Sequence, residues 1–301
     1  MARPEPLRGS VDPAPPVAMT AGGAAVLARR KPYVPAEDRR LVLFLQVLIG
    51  VGVLALWEAA VAAGILKALI FSSPSRIAGR MIEMLTGEIV YGRTIYSHIL
   101  TTFQQIGIGY LLGATAAVAL GYVFGRVRVV RRIFEPVILA LFSIPKIAVA
   151  PLFVLVLGIG LWSKVGIVFL EVFFVVFFNT MKGVLEVNEE YVNIARIMGA
   201  SRVDVSRRIT LPGALPSILI GLKMGVPFAI IGAILGEYIA SNQGLGWFIL
   251  YSTNAFDASG VWAGILFLVA LTWLLGQVVN LVQSRLLRWQ PPRKGRAVSV
   301  A

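Results

Sequence analysis

The 301-residue chain contains no cysteine and a single histidine, His98. The lack of cysteine excludes disulfide frameworks, thiolate catalysis and cysteine-ligated metal or iron–sulfur sites. A single histidine cannot supply a histidine-rich metal site, and it makes a Ser/His catalytic triad improbable. We therefore expect no resident cofactor, no metal and no enzymatic activity on this chain.

Charged residues are also scarce, at 14% of the chain against 57% hydrophobic residues, and the mean hydropathy is +0.81. Soluble proteins carry about 25% charged residues. This composition excludes a soluble globular enzyme and indicates an integral membrane protein. The net charge is nevertheless +13, so the placement of the basic residues has to be explained.

Six apolar runs are long enough to cross ~30 Å of hydrocarbon as helices. They fall at about residues 41–66, 99–124, 133–158, 165–181, 218–240 and 261–282. Residues 1–40 contain many prolines and scattered charges without a signal-peptide core, and they predict a disordered basic tail. Residues 285–301 predict a second basic tail at the other end. The predicted fold class is all-α, a polytopic membrane protein with six transmembrane helices.

A short amphipathic helix is predicted between the first two spans, over residues 75–85. Its spacing places Ile77, Met81 and Met84 or Leu85 on one face. Because the segment is too short and too polar to cross a bilayer, we expect it to lie at the membrane surface.

The basic residues divide unequally between the two sides of the six-span arrangement. On the side of the N-terminus lie 21 of the 28, and the opposite side holds only Lys67, Arg76, Arg80, Arg93 and Lys164. The positive-inside rule then predicts that both termini are cytoplasmic in a multi-pass protein of the bacterial inner membrane. Membrane topology accounts for the charge, so nucleic-acid binding is an unnecessary explanation.

The second span has a small residue at every fourth position. Such a pattern removes side-chain bulk from one helix face and favours close approach of a neighbouring helix. The residues are Gly109, Gly113, Ala117, Gly121 and Gly125.

The third span contains Pro145, Lys146 and Pro151, and proline interruptions inside spans often line cavities. A lysine at a helix centre costs roughly 2.5 to 3.5 kcal/mol on the insertion scale. One interpretation is that Lys146 attracts an anionic solute on a translocation path. The other is that it snorkels or pairs with a carboxylate within the spans.

The carboxylates within the spans are Glu58, Glu171 and Glu237. We expect Glu237 to lie near the outer end of the fifth span, where it can reach water, and we take it with Lys146 as a candidate for the substrate path. Three carboxylates inside a bilayer also leave open a proton-coupled secondary transporter.

The loop at residues 182–216 is polar yet favourable to helices. Residues 189–198 predict a helix with acidic residues in its first turn and with Val192, Ala195 and Met198 or Gly199 on one face. Gly199 ends this helix, and Ser201 can cap a second one, which Leu211 and Pro212 end. The prediction is a helix, a tight turn and a second helix.

This loop resembles the permease subunits of bacterial ABC importers, whose corresponding loop reads E-A-A-x3-G-x9-I-x-L-P. Here Asn193-Ile194-Ala195 precedes Gly199 by the same spacing, and Ile209-Thr210-Leu211-Pro212 closes the motif, with Asn193 and Ile194 in place of the first Glu and Ala. In that family the loop docks on the ATP-hydrolysing subunit. The resemblance implies an ATPase contact at Asn193, Ala195, Arg196, Gly199, Ala200, Ser201, Ile209, Leu211 and Pro212.

The likeness covers about residues 70–290 and is closest to the nitrate, sulfonate, taurine and bicarbonate branch of these permeases. The stretches that carry it are residues 73–75, 144–152 and 236–249. It implies a type I ABC importer permease fold over residues 93–284 and import of a small solute, expected to be an anion. It also implies a second permease copy, two ATPase subunits and an extracytoplasmic solute-binding protein. Because the sequence has no Walker A motif, the ATPase must be a separate chain.

Overall fold

The computed structural model describes residues 36–286. The predicted basic tails at 1–40 and 285–301 lie outside the described residues, except where helices extend into 36–40 and 285–286. The helices are α1 Ala36–Ala62, α2 Ala68–Phe71, α3 Pro74–Leu85, α4 Ile95–Arg126, α5 Arg128–Ser143, α6 Lys146–Leu157, α7 Leu161–Leu185, α8 Glu189–Ile197, α9 Arg202–Val205, α10 Leu211–Ala240, α11 Leu245–Asn254 and α12 Ala258–Leu286. Two short strands, β1 Ile89–Val90 and β2 Arg93–Thr94, form a hairpin that the sequence did not predict.

Five helices within residues 36–286 are long and apolar enough to cross a membrane, or six if the bent pair α5 and α6 counts as one span. The predicted all-α membrane fold with six spans is confirmed on that count. Apart from the third, each predicted apolar run lies within or largely overlaps one of these helices, although the helix that contains run 218–240 begins much earlier, at Arg202.

The third span is not one interrupted helix, as the sequence suggested, but two helices at 92° to each other. Ile144 and Pro145 between them have extended backbone, with ψ values of 127° and 114°. Proline has no N–H to donate and disfavours the helical region for the residue before it. Pro151 lies inside α6 without ending it, so the break follows from Pro145 alone.

The prediction that Leu211 and Pro212 end the second loop helix is wrong. Helix α9 continues through a π-helical turn, Ser206–Thr210, into α10, so that one composite helix runs over Arg202–Ala240. Within the wide turn the Leu211 N–H donates to the carbonyl of Ser206, five residues back. Pro212 then occupies the first turn after it, where a missing N–H is tolerated.

Helix α7 forms the centre of the bundle, between α4 and α10. The small residues of α4 lie directly against it: a Cβ added at Gly109 would lie 2.5 Å from Val168 Cβ, and one at Gly121 would lie 2.8 Å from the Phe177 carbonyl oxygen. Helix α10 also approaches α7 closely at a glycine, Gly232, where an added Cβ would lie 2.9 Å from Val168 Cα. The close packing predicted from the spacing in α4 is confirmed.

The bundle has two ends. At the loop end α4 and α7 finish, and α8 and α9 follow; at the far end α4 and α7 begin, and α10 finishes. The amphipathic helix predicted at 75–85 is confirmed as α3 at the far end, with Ile77 and Met84 buried and Leu85 exposed. Glu58 accepts hydrogen bonds from the N–H and hydroxyl of Ser75, at 3.0 and 2.7 Å, and so caps α3.

Candidate functional site

The loop between α7 and α10 has the two helices and the tight turn that its sequence predicts. Helix α8 begins after Asn188, whose side chain accepts from the N–H of Glu190 at 2.8 Å. Gly199 follows its end with φ +84°, a conformation that favours glycine. Ser201 then caps α9, because its hydroxyl accepts from the N–H of Asp204 at 3.1 Å. We call residues 189–210 the coupling segment.

Helix α8 places its apolar residues on two faces. Val192 and Ala195 are half-buried toward the bundle, as predicted. Met198 is 82% exposed, so the prediction that it could share that face is wrong: it lies just beyond the last helical residue, where the chain turns away. The outward face forms an apolar tip, with exposures between 54% and 87%, made of Tyr191, Ile194, Ile197 and Met198.

The π-helical turn of the coupling segment is fastened to the end of α4. The hydroxyls of Tyr122 and Ser206 share a hydrogen bond, and Arg126 donates to the Thr210 hydroxyl at 3.1 Å. These two hydrogen bonds join the coupling segment to α4, in addition to its continuation into the composite helix.

The predicted ATPase-contact residues lie in three places. Asn193, Arg196 and Ala200 line a groove of about 1200 Å³ between the coupling segment and the turn from α4 to α5. Gly199 and Ser201 form the exposed turn, and Ala195 packs inward on α8. The closing residues of the motif, Ile209, Leu211 and Pro212, lie in the π-helical turn and at the start of α10.

Lys146 is the first residue of α6, immediately after the break in the third span. Its Nζ lies 4.7 Å from the centroid of the Phe142 ring and 5.8 Å from that of Phe174, close enough for cation–π attraction. Among the described residues no carboxylate oxygen lies within 4.0 Å of it. The alternative of a direct ion pair is therefore not observed, and its place on a solute path stays a prediction.

Glu237 does not reach water, contrary to the prediction: its exposure is 0%. The carboxylate accepts from the Thr102 hydroxyl at 2.8 Å and from the Gly246 N–H at 2.6 Å. It lies near the end of α10, as expected, but α4 and α11 cover it there. These hydrogen bonds give the carboxylate a structural task at the far end.

The same cluster fixes the turn between α10 and α11. His98 Nδ1 accepts from the Gly244 N–H at 3.1 Å, and the Thr102 hydroxyl accepts from the Leu245 N–H at 2.8 Å. Gly244 has φ +111°, and a Cβ added there would lie 2.1 Å from Glu237 Oε1, so only glycine fits. We call His98, Thr102, Glu237 and residues 244–246 the Glu237 network.

Sequence reasoning missed this network because its members are up to 148 positions apart along the chain. The available signal was Glu237 in the fifth predicted span, followed closely by Gly244-Leu245-Gly246 in the segment that leads to the sixth. Lys164, which the sequence placed between the third and fourth apolar runs, lies inside a helix instead. It is 2% exposed in the first turn of α7, and its Nζ donates to the carbonyl of Ala240.

Comparison with known proteins decides the family. Residues 105–289 match the family model described as binding-protein-dependent transport system inner membrane component. The chain belongs to this family. It is the permease subunit of an ABC importer, a multi-pass membrane protein, and the resemblance drawn from the loop motif is confirmed at that level.

Two relatives and one solved structure illustrate the match. The formylaminopyrimidine transport permease protein ThiX of Halalkalibacterium halodurans is 36% identical over 220 residues, covering 72% of this chain and 85% of the relative. The taurine transport system permease protein TauC of Escherichia coli is 29% identical, covering 81% and 90%. The inward-facing MetNI methionine ABC transporter has a chain that matches with a TM-score of 0.54 at 19% identity, covering 69% and 98%, which supports the type I fold.

Proposed function

We propose that this permease moves a small solute into the cell when separate ATPase subunits act on its coupling segment. The observation that carries the proposal is the geometry of that segment: an exposed helix joined through a tight turn to a composite helix that crosses the whole bundle. The composite helix has 39 residues and spans roughly 60 Å at 1.5 Å per residue.

The orientation that we propose places the loop end in the cytoplasm. The turn from α4 to α5 carries four arginines, Arg126, Arg128, Arg131 and Arg132, and the coupling segment adds four more. Short basic loops of this kind stay on the cytoplasmic side of bacterial membranes. With the loop end in the cytoplasm and an even number of spans, both termini are cytoplasmic as well.

The apolar tip of α8 is the surface that we assign to the ATPase. Four large apolar side chains stand exposed on α8, a helix outside the candidate membrane spans. A groove in a water-soluble partner that buried them would gain roughly 25 cal/mol for each Å² of apolar surface covered. Two ATPase subunits would serve a pair of permease copies.

Movement of the tip would reach the spans by two routes. One is the composite helix itself, which runs from the coupling segment to the Glu237 network. The other is α4, which Ser206 and Thr210 hold through Tyr122 and Arg126. Rigid elements of this sort transmit a displacement that a flexible loop would absorb.

For the solute, we propose a small anion such as a sulfonate, taurine, nitrate or bicarbonate. The support is Lys146, which stands at the break in the third span with no carboxylate oxygen within 4.0 Å in the described part of the chain. The relative named for formylaminopyrimidine favours a second candidate, a small heterocycle, which could stack against the exposed ring of Phe142 beside Lys146.

Reconstitution tests the proposal. The permease in proteoliposomes with its partner ATPase and binding protein should take up solute only when ATP is present. Uptake by this chain alone under a proton gradient would support the secondary transporter instead. Thermal-shift screening of the partner binding protein against oxyanions, sulfonates and pyrimidines would separate the two solute classes.

A further inference from the structure

The groove behind the coupling segment is strongly basic. Its walls carry five arginines and one carboxylate, and its volume is about 1200 Å³. Three of the arginines come from the turn between α4 and α5, and two come from the coupling segment. The charged residues are Arg126, Arg128, Arg131, Arg196, Arg202 and Glu189.

Most of this positive charge is not neutralised within the described chain. Arg128 pairs with Glu189 at 3.2 Å, where both side chains are well exposed, and Arg126 donates to a neutral hydroxyl. No carboxylate lies within 4.0 Å of the other three arginines in residues 40–286. Nη1 of Arg131 is buried and has no acceptor among the described residues, which leaves a charged donor unsatisfied there.

The groove is also partly apolar, and it lies at a defined depth. Val184 and Leu185, the last turn of the spanning helix α7, line it, as does Arg126, the last residue of the spanning helix α4. Both helices are long and apolar enough to cross a membrane, so the groove lies at one end of the spans, where head groups would be within reach. An anion with an attached apolar chain would satisfy both parts of the lining.

We propose that this groove binds the phosphate head group of an anionic membrane lipid from the adjoining leaflet, with Arg131 as its central contact. Guanidinium groups bind phosphate through paired, charge-assisted hydrogen bonds, and basic pockets between spanning helices are typical anionic-lipid sites. The terminal residues 1–35 and 287–301 are poor competitors, since each of these stretches is net basic. The cytoplasmic identity of the leaflet rests on the orientation proposed above, but lipid binding itself does not.

Lipid retention by the purified full-length chain tests this proposal. Protein extracted with a neutral detergent is equilibrated with phosphatidylcholine vesicles that contain or lack phosphatidylglycerol, and native mass spectrometry then counts bound lipids. Wild type should retain phosphatidylglycerol selectively. Arg131→Gln should lower that retention by about tenfold, the effect of losing one charged contact.

Arg132→Gln is the matched control, because Arg132 adjoins Arg131 on the same helix, is exposed and does not line the groove. It should retain lipid like the wild type, and an unchanged melting temperature for both variants shows that they fold. Arg131→Lys should retain more lipid than Arg131→Gln but less than the wild type, since lysine keeps the positive charge but lacks the paired N–H donors of a guanidinium group.

The proposal would be overturned if the protein showed no selectivity for phosphatidylglycerol, or if both glutamine variants lost lipid equally. It would also be overturned if millimolar inorganic phosphate displaced the bound lipid as effectively as added phosphatidylglycerol does. A site that binds only the partner ATPase, with no lipid retained in its absence, would also contradict it. Because the assay involves neither ATP nor transport, its failure would leave the proposed import function untouched.

Discussion

The two ends of the composite helix Arg202–Ala240 differ in almost every respect. At the loop end the coupling segment exposes an apolar tip and is fastened to α4 by two side-chain hydrogen bonds. At the far end Glu237 is fully buried, and four hydrogen bonds join α4, the end of α10 and the turn into α11.

This contrast separates two tasks. Buried, satisfied polar networks hold elements in one arrangement, because breaking them leaves polar groups without partners in a low-dielectric interior. An exposed segment with few contacts can instead meet a partner and shift. We therefore expect substitutions at the far end to lower stability, and substitutions at the loop end to lower coupling while stability changes little.

The largest effect should come from Gly244→Ala. The new Cβ would lie 2.1 Å from Glu237 Oε1, and the backbone has φ +111°, which L side chains rarely adopt. Because the carboxylate cannot retreat without losing its hydrogen bonds, we expect a loss of about 3 kcal/mol or more. The melting temperature in detergent measures it. Gly79→Ala is the control, since nothing lies within 4 Å of a Cβ there.

Glu237→Gln should have the next largest effect. The substituted side chain keeps its size, but an amide –NH₂ would face a donor, either the Thr102 hydroxyl or the Gly246 N–H. We expect a loss of about 1 to 3 kcal/mol in stability, against well under ~1 kcal/mol for the exposed Glu83→Gln, which weakens a surface ion pair with Arg80. Loss of solute uptake at an unchanged melting temperature would instead support the predicted place of Glu237 on the solute path.

Ser206→Ala should weaken coupling more than stability. It removes the hydrogen bond to Tyr122, one of the two that tie the coupling segment to α4. We expect a stability change of about 1 kcal/mol and a fall of about threefold in solute moved per ATP hydrolysed. Ser284→Ala, which removes a local bond at the exposed end of α12, should leave that ratio unchanged.

Lys146→Met should have the smallest effect on stability, about 0.5 to 1 kcal/mol, because it removes a cation–π contact and no ion pair within 4.0 Å among the described residues. If the solute is an anion, the rate of uptake should nevertheless fall. Lys223→Met provides the comparison, since Lys223 is another lysine within a span. Equal uptake by both variants and the wild type would remove Lys146 from the solute path.

Periodicity and composition predicted the features that depend on local sequence. Apolar runs located the spans, the spacing of Gly109 and Gly121 predicted the close packing on α7, and Ser201 predicted the cap of α9. Each of these follows from residues a few positions apart, so one sequence is enough to find them.

The errors concern features that depend on distant residues or on alternative backbone geometry. Burial of Glu237 requires knowing that α4 and α11 cover the end of α10. The second loop helix continues past Leu211 through the π-helical turn Ser206–Thr210. No propensity rule predicts such a turn from the residues that precede Pro212. Pro145 and Pro151 look alike in the sequence, yet only Pro145 breaks the span.

The central claim, that the coupling segment transmits ATPase action to the spans, is tested most directly by Gly199→Val. Gly199 has φ +84° with nothing within 4 Å of an added Cβ, so the substitution alters the turn without a steric clash. Gly87→Val imposes the same kind of backbone penalty at the far end and serves as the control.

The measurement is the amount of solute transported per ATP hydrolysed in proteoliposomes that contain the permease and its partner subunits. The account predicts that Gly199→Val keeps its fold and permits hydrolysis, while this ratio falls by about tenfold or more. It also predicts that Gly87→Val keeps the wild-type ratio. A wild-type ratio for Gly199→Val would contradict the account.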